Sequence, residues 1–390
     1  MKNKSTILLL FLLLLLSGNL FSQQWQTAVL QHASGAREYS IYVPSNYNPQ
    51  NPASLVLTLH GLGDNMTNFR NIGFNILAET NNIIVVTPQA ISDPIIGSTS
   101  WNSGAGFSFY TPNSTVDDVG FISALIDKVK QTYSINPNKV FACGFSMGGF
   151  MTERLALVLN NKIKVFASVA GTFGNAILPV AAGTPGRPVS IAHFHGTSDG
   201  TIGYTNNTYG NSVDDMISYW KTNNHSVSTP VHTQLPDTAN DGYTVDHYKY
   251  VSNSNNSVIE LFKVNNAGHT WLTAQNDISY TQKIWEFFNQ NSSTLSVDET
   301  SSSIDFSMAP NPAADYVEFN FLSNSPDLSS AVEIVINDLA GRTVLTQKLE
   351  SRDKKYRLSL KDHALKSGVY LVTIKIKNSV NTLHKKLIIK

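Results

Sequence analysis

The chain has 390 residues, room for one large domain and one small one. Its 28 Lys and Arg balance 28 Asp and Glu, so the formal net charge is zero and neither nucleic acid nor an acidic surface is indicated as a partner. Charged residues make up only 14% of the total, a polar but weakly charged composition that suits an exported protein meeting neutral substrates.

In chain order, Lys2 and Lys4 precede the apolar run "ILLLFLLLLL", and "SGNLFSQ" follows it. A basic start, an apolar core and small residues after it predict a secretory signal peptide over residues 1–22. The run falls short of the roughly 20 apolar residues needed to cross a bilayer, so no stable membrane span is expected. No cysteine follows it, which argues against a lipid anchor.

A large domain is expected over residues 23–290. "EYSIYV" (38–43), "SLVLTLHG" (54–61) and "NIIVVTPQ" (82–89) read as strands. "TVDDVGFISALIDKVKQTY" (115–133) places Val119, Ile122, Leu125, Ile126 and Val129 at helical spacing, with Asp117 and Asp118 as an acidic, capping start. "KVFACGF" is a strand, "GGFMTERLALVLN" has helical composition, and "KVFASVAG" and "PVSIAHFHG" (188–196) are further strands. "SVDDMISYWK" (212–221) reads as a helix, "YTVDHYKYV" and "SVIELFKV" as strands, and "ISYTQKIWEFFNQ" as a closing helix. Short apolar strands alternating with helices predict an α/β fold with a mostly parallel sheet covered on both faces. The single cysteine, Cys143, has no partner for a disulfide and reads as a small buried hydrophobe.

The character changes near residue 290. The polar, aperiodic "NQNSSTLSVDETSSS" predicts a linker over 291–303. Beyond it the pattern has period two: Val317, Phe319 and Phe321 share one face, as do Tyr370, Val372, Ile374 and Ile376. Residues 304–390 are therefore expected to form a small all-β sandwich.

The pattern G-x-S-x-G occurs twice, at Gly144–Ser146–Gly148 and at Gly196–Ser198–Gly200. A nucleophilic serine of this kind needs a sharp turn between a buried strand and a helix. The first copy has that context; the second runs on into the loop "TIGYTNNTYGN". Chain order supplies a second test, because in an α/β-hydrolase the nucleophile is followed by an acid and then a histidine. Asp199 follows the strand "VSIAHFHG", and His269, in "NNAGHTW", follows "SVIELFKV". Both fall at carboxyl ends of strands, where open α/β sheets carry their sites. Each residue alone has a plainer reading: Asp199 as a turn former, His269 as a surface histidine. Asp241 and Asp246 are rival acids that follow no strongly apolar strand. In order and in context, Ser146, Asp199 and His269 form an expected catalytic triad. The oxyanion would be held by the backbone N–H groups of Met147 and of Leu62, in the loop "LHGLGDN".

These segments resemble the secreted feruloyl esterase and polyhydroxybutyrate depolymerase family of α/β-hydrolases over roughly residues 30–290. The resemblance is carried by "LTLHGLGDN", "WNSG" (101–104), "VDDVGFISALID", "VFACGFSMGGFM", "HFHGTSDGTIGY" and "NNAGHTW". It implies hydrolysis of carboxylic esters with no cofactor and no metal, by the triad Ser146, Asp199 and His269. It also implies that Trp101 faces substrate, and a core tryptophan is an equally open reading of the same residue. Two departures touch the substrate loops: cysteines that many members carry around "YWKTNNHS" are missing, and Leu272 stands where many have proline. The C-terminal segments "MAPNPAADYVEFNF", "INDLAGRTV", "KSGVYLVTI" and "HKKLIIK" resemble the sorting domain of the type IX secretion system, which implies export by that machinery. The expected activity is a secreted serine esterase on polymer-linked feruloyl, acetyl or hydroxyalkanoate esters. A serine peptidase of the prolyl oligopeptidase type shares fold and triad but normally brings a large extra domain. A non-catalytic binding protein on a hydrolase scaffold would tend to lose a triad residue.

Overall fold

The computed structural model describes residues 25–107, 109–178, 187–292, 304–323, 332–338, 343–349, 355–363, 365–376 and 382–390. The expected signal peptide and all but the first two residues of the expected linker lie outside them. The chain forms two compact units divided between the last helix of the first and the first strand of the second.

The first unit is built on strands β1 (Gln26–His32), β2 (Gly35–Tyr42), β3 (Ala53–Leu59), β4 (Ile83–Pro88), β5 (Ile135–Phe145), β6 (Val165–Val169), β7 (Ser190–Gly196), β8 (Val231–Gln234), β9 (Thr244–Val251) and β10 (Val258–Asn265). They form one sheet in the order β1-β2-β4-β3-β5-β6-β7-β10-β9-β8. The six central strands, β4 to β10, run parallel. Antiparallel partners close both flanks.

The helices are α1 (Met66–Phe69), α2 (Phe74–Asn81), α3 (Asp118–Thr132), α4 (Met147–Val158), α5 (Val213–Asn224) and α6 (Tyr280–Asn291). Side chains alternate across the pleat. Leu55, Leu57 and Leu59 of β3 join Val140 and Ala142 of β5 in one core with α3, α4 and α5. Val56, Phe141 and Cys143 point the other way, into a core with α2 and α6. Burial on both faces is why these strands read as unbroken apolar runs. The edge strands escaped prediction for the converse reason: all four residues of β8 are exposed, and β1 buries none of its residues fully.

Helix α3 starts at Asp118, three residues later than its periodicity suggested, because Asp117 is its N-cap and accepts the Gly120 N–H at 2.8 Å. Asp118 does more than start a helix. It is fully buried and pairs with the equally buried Arg37 of β2 at 2.7 Å. Its second oxygen accepts the Asn102 N–H at 2.7 Å, tying the "WNSG" loop to the sheet. Arg154 of α4 donates to both the carbonyl and the side-chain oxygen of Asn102.

The second unit contains β11 (Ile304–Ala309), β12 (Tyr316–Ser323), β13 (Val332–Asn337), β14 (Thr343–Leu349), β15 (Lys355–Ser359), β16 (Gly368–Ile376) and β17 (Thr382–Ile389). They make two antiparallel sheets, β11-β12-β15 and β14-β13-β16-β17. Val317 and Phe319 of one sheet and Ile334, Val372 and Ile374 of the other fill a shared core, the signature of a sandwich.

The Arg37–Asp118 pair yields a stability prediction. Removing one partner leaves an uncompensated buried charge, which costs about 3–5 kcal/mol. Asp118→Ala is therefore expected to lower the unfolding free energy by about that amount in urea denaturation.

Candidate active site

Strand β5 and helix α4 meet at Ser146, whose φ of 56° and ψ of −120° are unusual for a residue with a side chain. The surrounding backbone holds it there. Its N–H donates to the Val169 carbonyl of β6 at 2.9 Å, and its carbonyl accepts the Phe150 N–H at 3.0 Å. The turn also needs two residues without side chains. A Cβ on Gly144 would lie 2.2 Å from the Gly148 carbonyl oxygen, and one on Gly148 would lie 2.0 Å from the Leu59 carbonyl oxygen. Ser198, by contrast, is exposed in the turn after β7.

Asp199 and His269 come together from the ends of β7 and β10. His269 Nδ1 lies 2.7 Å from Asp199 Oδ2. A carboxylate only accepts, so Nδ1 carries the proton and Nε2 is left as the ring's acceptor. The ring of His269 packs on Phe145 at 4.8 Å between centroids. Asp199 Oδ1 accepts the N–H groups of Thr201 at 2.9 Å and Ile202 at 2.8 Å. Burial pushes the Asp199 carboxyl up. The bonds from His269 and from these amides more than offset it, so the group sits below its ordinary value and stays ionised.

Ser146 and His269 face one cavity of about 320 Å³. Leu62 and Met147 line it too. The neighbouring amides are engaged elsewhere: Gly63 N–H donates to Thr99 and Asp64 N–H to Gly61. The loop carrying Leu62 abuts the serine, since a Cβ on Gly61 would sit 3.4 Å from Ser146 Cβ. Asp64 and Thr201 add polar groups to the wall, and Ala105, Phe107, Phe145, Phe150, Ile202 and Tyr209 make the remainder largely apolar and aromatic. Phe107 and Tyr209 meet edge to face at 5.1 Å.

Trp101 is not in this wall. It is fully buried, and its indole N–H donates to the His60 carbonyl at 2.8 Å. The expected substrate contact is thus replaced by a supporting one. An amphipathic ring on a polar loop was open to either placement, and the buried acceptor beside its N–H draws it inward. His60 was not singled out from the sequence at all. Its Nδ1–H donates to Gly61 O at 2.8 Å and its Nε2 accepts the Ala90 N–H at 3.1 Å. Burial lowers its pKa, which keeps the ring neutral as this pattern requires. A histidine ending a wholly apolar strand was the available sign. Cys143 is buried, and burial pushes its thiol up, away from reactivity. Among the described residues, no group of three or more His, Cys, Asp or Glu is arranged to hold a metal ion.

Residues 45–237 match the phospholipase/carboxylesterase family model. The chain belongs to the α/β-hydrolase (esterase) superfamily. Residues 307–390 match the secretion system C-terminal sorting domain, a type IX sorting domain that supports a secreted or cell-surface localisation. Among the described residues, no helix is long and apolar enough to cross a membrane. The hydrolase is 30% identical over 259 residues to a bifunctional acetylxylan esterase/xylanase of Neocallimastix patriciarum, covering 65% of this chain and 33% of that protein. It is 32% identical over 179 residues to feruloyl esterase D of Neurospora crassa, covering 45% and 58%. It is 25% identical over 256 residues to poly(3-hydroxyalkanoate) depolymerase C of Paucimonas lemoignei, covering 58% and 57%. The matched part of the hydrolase thus spans between a third and three fifths of the length of these relatives.

The close approach at Gly148 is testable without any substrate. Gly148→Ala has to displace the β3 backbone, and overpacking of this kind costs about 1–3 kcal/mol. The midpoint of urea unfolding is expected to fall accordingly.

Proposed function

We propose that the hydrolase is a serine carboxylic-ester hydrolase in which Ser146 is the nucleophile, His269 the general base and Asp199 its orienting acid. The observation that carries this reading is that a serine on a strained strand-to-helix turn shares one cavity with a histidine whose other nitrogen is tied to a buried carboxylate.

The chemistry then follows. Ser146 Oγ attacks the acyl carbon while its proton passes to His269 Nε2, and the carbonyl π pair moves onto oxygen. The N–H groups of Leu62 and Met147 are the donors assigned to that oxyanion. Collapse expels the alcohol, which takes the proton from His269 and leaves an acyl-serine. Water repeats the sequence, with His269 as base, and releases the acid. Asp199 holds the Nδ1–H tautomer throughout and stabilises the transient imidazolium.

The aromatic part of the cavity wall favours an aromatic acyl group, and the acidic side chain of Asp64 disfavours an anionic one. An acetyl group would leave most of its 320 Å³ unfilled, whereas a hydroxycinnamoyl group could stack against Phe107 and Tyr209. With export implied by the sorting domain, the reading is a feruloyl-type ester on extracellular polysaccharide. The similarity to a feruloyl esterase supports that acyl group, and the similarity to an acetylxylan esterase supports only an ester carried on polysaccharide.

On a short-chain p-nitrophenyl ester, Ser146→Ala should lose turnover on the order of 10⁶-fold and Asp199→Asn about 10⁴-fold, while Ser198→Ala retains it. Retained turnover in Ser146→Ala would exclude it as nucleophile. In a substrate panel, kcat/KM for methyl ferulate should exceed that for the acetyl ester and for polyhydroxybutyrate. Tyr209→Ala should cost about tenfold on methyl ferulate, the range of one aromatic contact, and little on the acetyl ester. A preference for acetyl ester or hydroxyalkanoate would replace the feruloyl assignment and leave the triad standing.

A further inference from the structure

Beneath Asp199 lies a line of buried titratable groups that the reaction above does not use. Glu153 of α4, His193 and His195 of β7 are all buried. His195 Nε2 lies 2.7 Å from the Ile202 carbonyl, and His195 Nδ1 lies 3.0 Å from His193 Nε2. His193 Nδ1 and Glu153 Oε1 face each other at 4.0 Å, and neither has a hydrogen-bond partner. The other Glu153 oxygen accepts the Trp220 indole N–H at 2.9 Å.

One carbonyl decides the protonation of the whole line. Ile202 O can only accept, so His195 Nε2 carries hydrogen. Neutral His195 then has a bare Nδ1, so His193 Nε2 carries hydrogen and donates to it. Neutral His193 in turn has a bare Nδ1, which needs a donor, and the group facing it is Glu153. Closing the 4.0 Å gap into a hydrogen bond therefore requires one proton between Glu153 and His193 Nδ1, on whichever of the two it resides. The line ends at the loop whose Ile202 N–H holds Asp199 Oδ1.

We infer that Glu153, His193 and His195 form a positioning relay, in which one proton shared by Glu153 and His193 fixes the direction of the hydrogen bonds that set the Asp199 loop. The inference rests on the assignment of Asp199 and His269 made above. Loss of that proton leaves a carboxylate against a bare ring nitrogen. His193 can repair the clash only by moving its hydrogen to Nδ1, which bares Nε2 against His195. His195 must then reverse too and release Ile202.

Burial pushes Glu153 up to about 8 and holds His193 well below its ordinary value, as a neutral line with one acid proton requires. The groups facing it are few among the described residues. Glu153 meets Trp220 and Ser168, and His193 meets His195. His195 meets Asp199 at 3.6 Å, His269 through its charge, and the edge of the Tyr204 ring.

Two variants test the relay in the full chain. Glu153→Gln keeps an acceptor for Trp220 and offers His193 a permanent N–H donor. Glu153→Met keeps the volume and offers none. With methyl ferulate or a p-nitrophenyl ester, wild-type kcat/KM should fall about tenfold between pH 7 and pH 9, as one essential proton leaves. Glu153→Gln should match wild type near pH 7 and stay level to pH 9. Glu153→Met should lose kcat at least about fivefold at pH 7 with KM unchanged.

A readout independent of catalysis is the melting midpoint. Folded Glu153 keeps its proton up to about 8, whereas the unfolded chain loses it near 4.5. The folded state holds more protons across that window, so this contribution to stability is full below it and is lost as pH rises through it. The midpoint of wild type relative to Glu153→Gln should accordingly decline from pH 5 to pH 8 and then level off. An alkaline limb shared by both, a pH-independent difference in midpoint, or a Met variant as active as the Gln variant at pH 7 would each overturn the relay. Failure of the site assignment shows elsewhere, as retained turnover in Ser146→Ala.

Discussion

Helix α4 begins in backbone contact with strand β3, and the placing of the other groups follows from that approach. Gly148 can come against the Leu59 carbonyl only because it has no side chain, and Gly144 tolerates the first turn of α4 for the same reason. With the helix held so close, the chain has no relaxed route from β5 into α4. Ser146 absorbs the reversal at positive φ, and the Val169 carbonyl anchors its N–H. A side chain at such a corner projects beyond the carboxyl edge of the sheet. The same corner sets Met147 at the start of α4 and brings the loop after β3, with Leu62, against the serine. One packing constraint thus delivers a candidate nucleophile and both of its candidate oxyanion donors.

The electrostatics of the site divide two buried carboxylates by the donors each receives. Asp199 accepts from an imidazole and two backbone amides, and these outweigh its burial, so it remains an anion. Glu153 lies deeper, accepts from one indole, and burial wins, so it holds its proton to about pH 8. The difference is one of local donor supply, since both belong to the same line of side chains. An ionised acid beside His269 and a neutral acid far from it are complementary: the first polarises the imidazole, and the second leaves that polarisation undisturbed.

The sequence made the parallel core legible because burial on both faces turns a strand into a nearly continuous apolar run, as in β3 and β4. It hid β8, which is exposed throughout, and β1, which only half-buries Ala28 and Leu30 against the core, so neither carries an apolar run. The choice of Ser146 over Ser198 was readable because helical composition follows one and loop composition the other. Trp101 stayed open between substrate and core because its partner, the His60 carbonyl, is brought to it by tertiary contact across 41 positions. Glu153 stood in plain view within "MTERLALV", next to Arg154, yet the two part ways. Glu153 lies three residues from Phe150 and Ala156 on the core face, while Arg154 turns toward Asn102. Helical phase could have flagged a carboxylate on an apolar face, but only β7 reveals that histidines await it.

An exported chain with one buried cysteine has no covalent staple, so its stability must come from packing and paired polar groups. The hydrolase unit is large enough to supply two cores, one on each face of its sheet. The buried Arg37, Asp118 and Asn102, with the half-buried Arg154, tie the loop after β4 to the sheet and to α4, alongside the packing of its Trp101 in the core. The sandwich has its own core, drawn wholly from residues beyond 307.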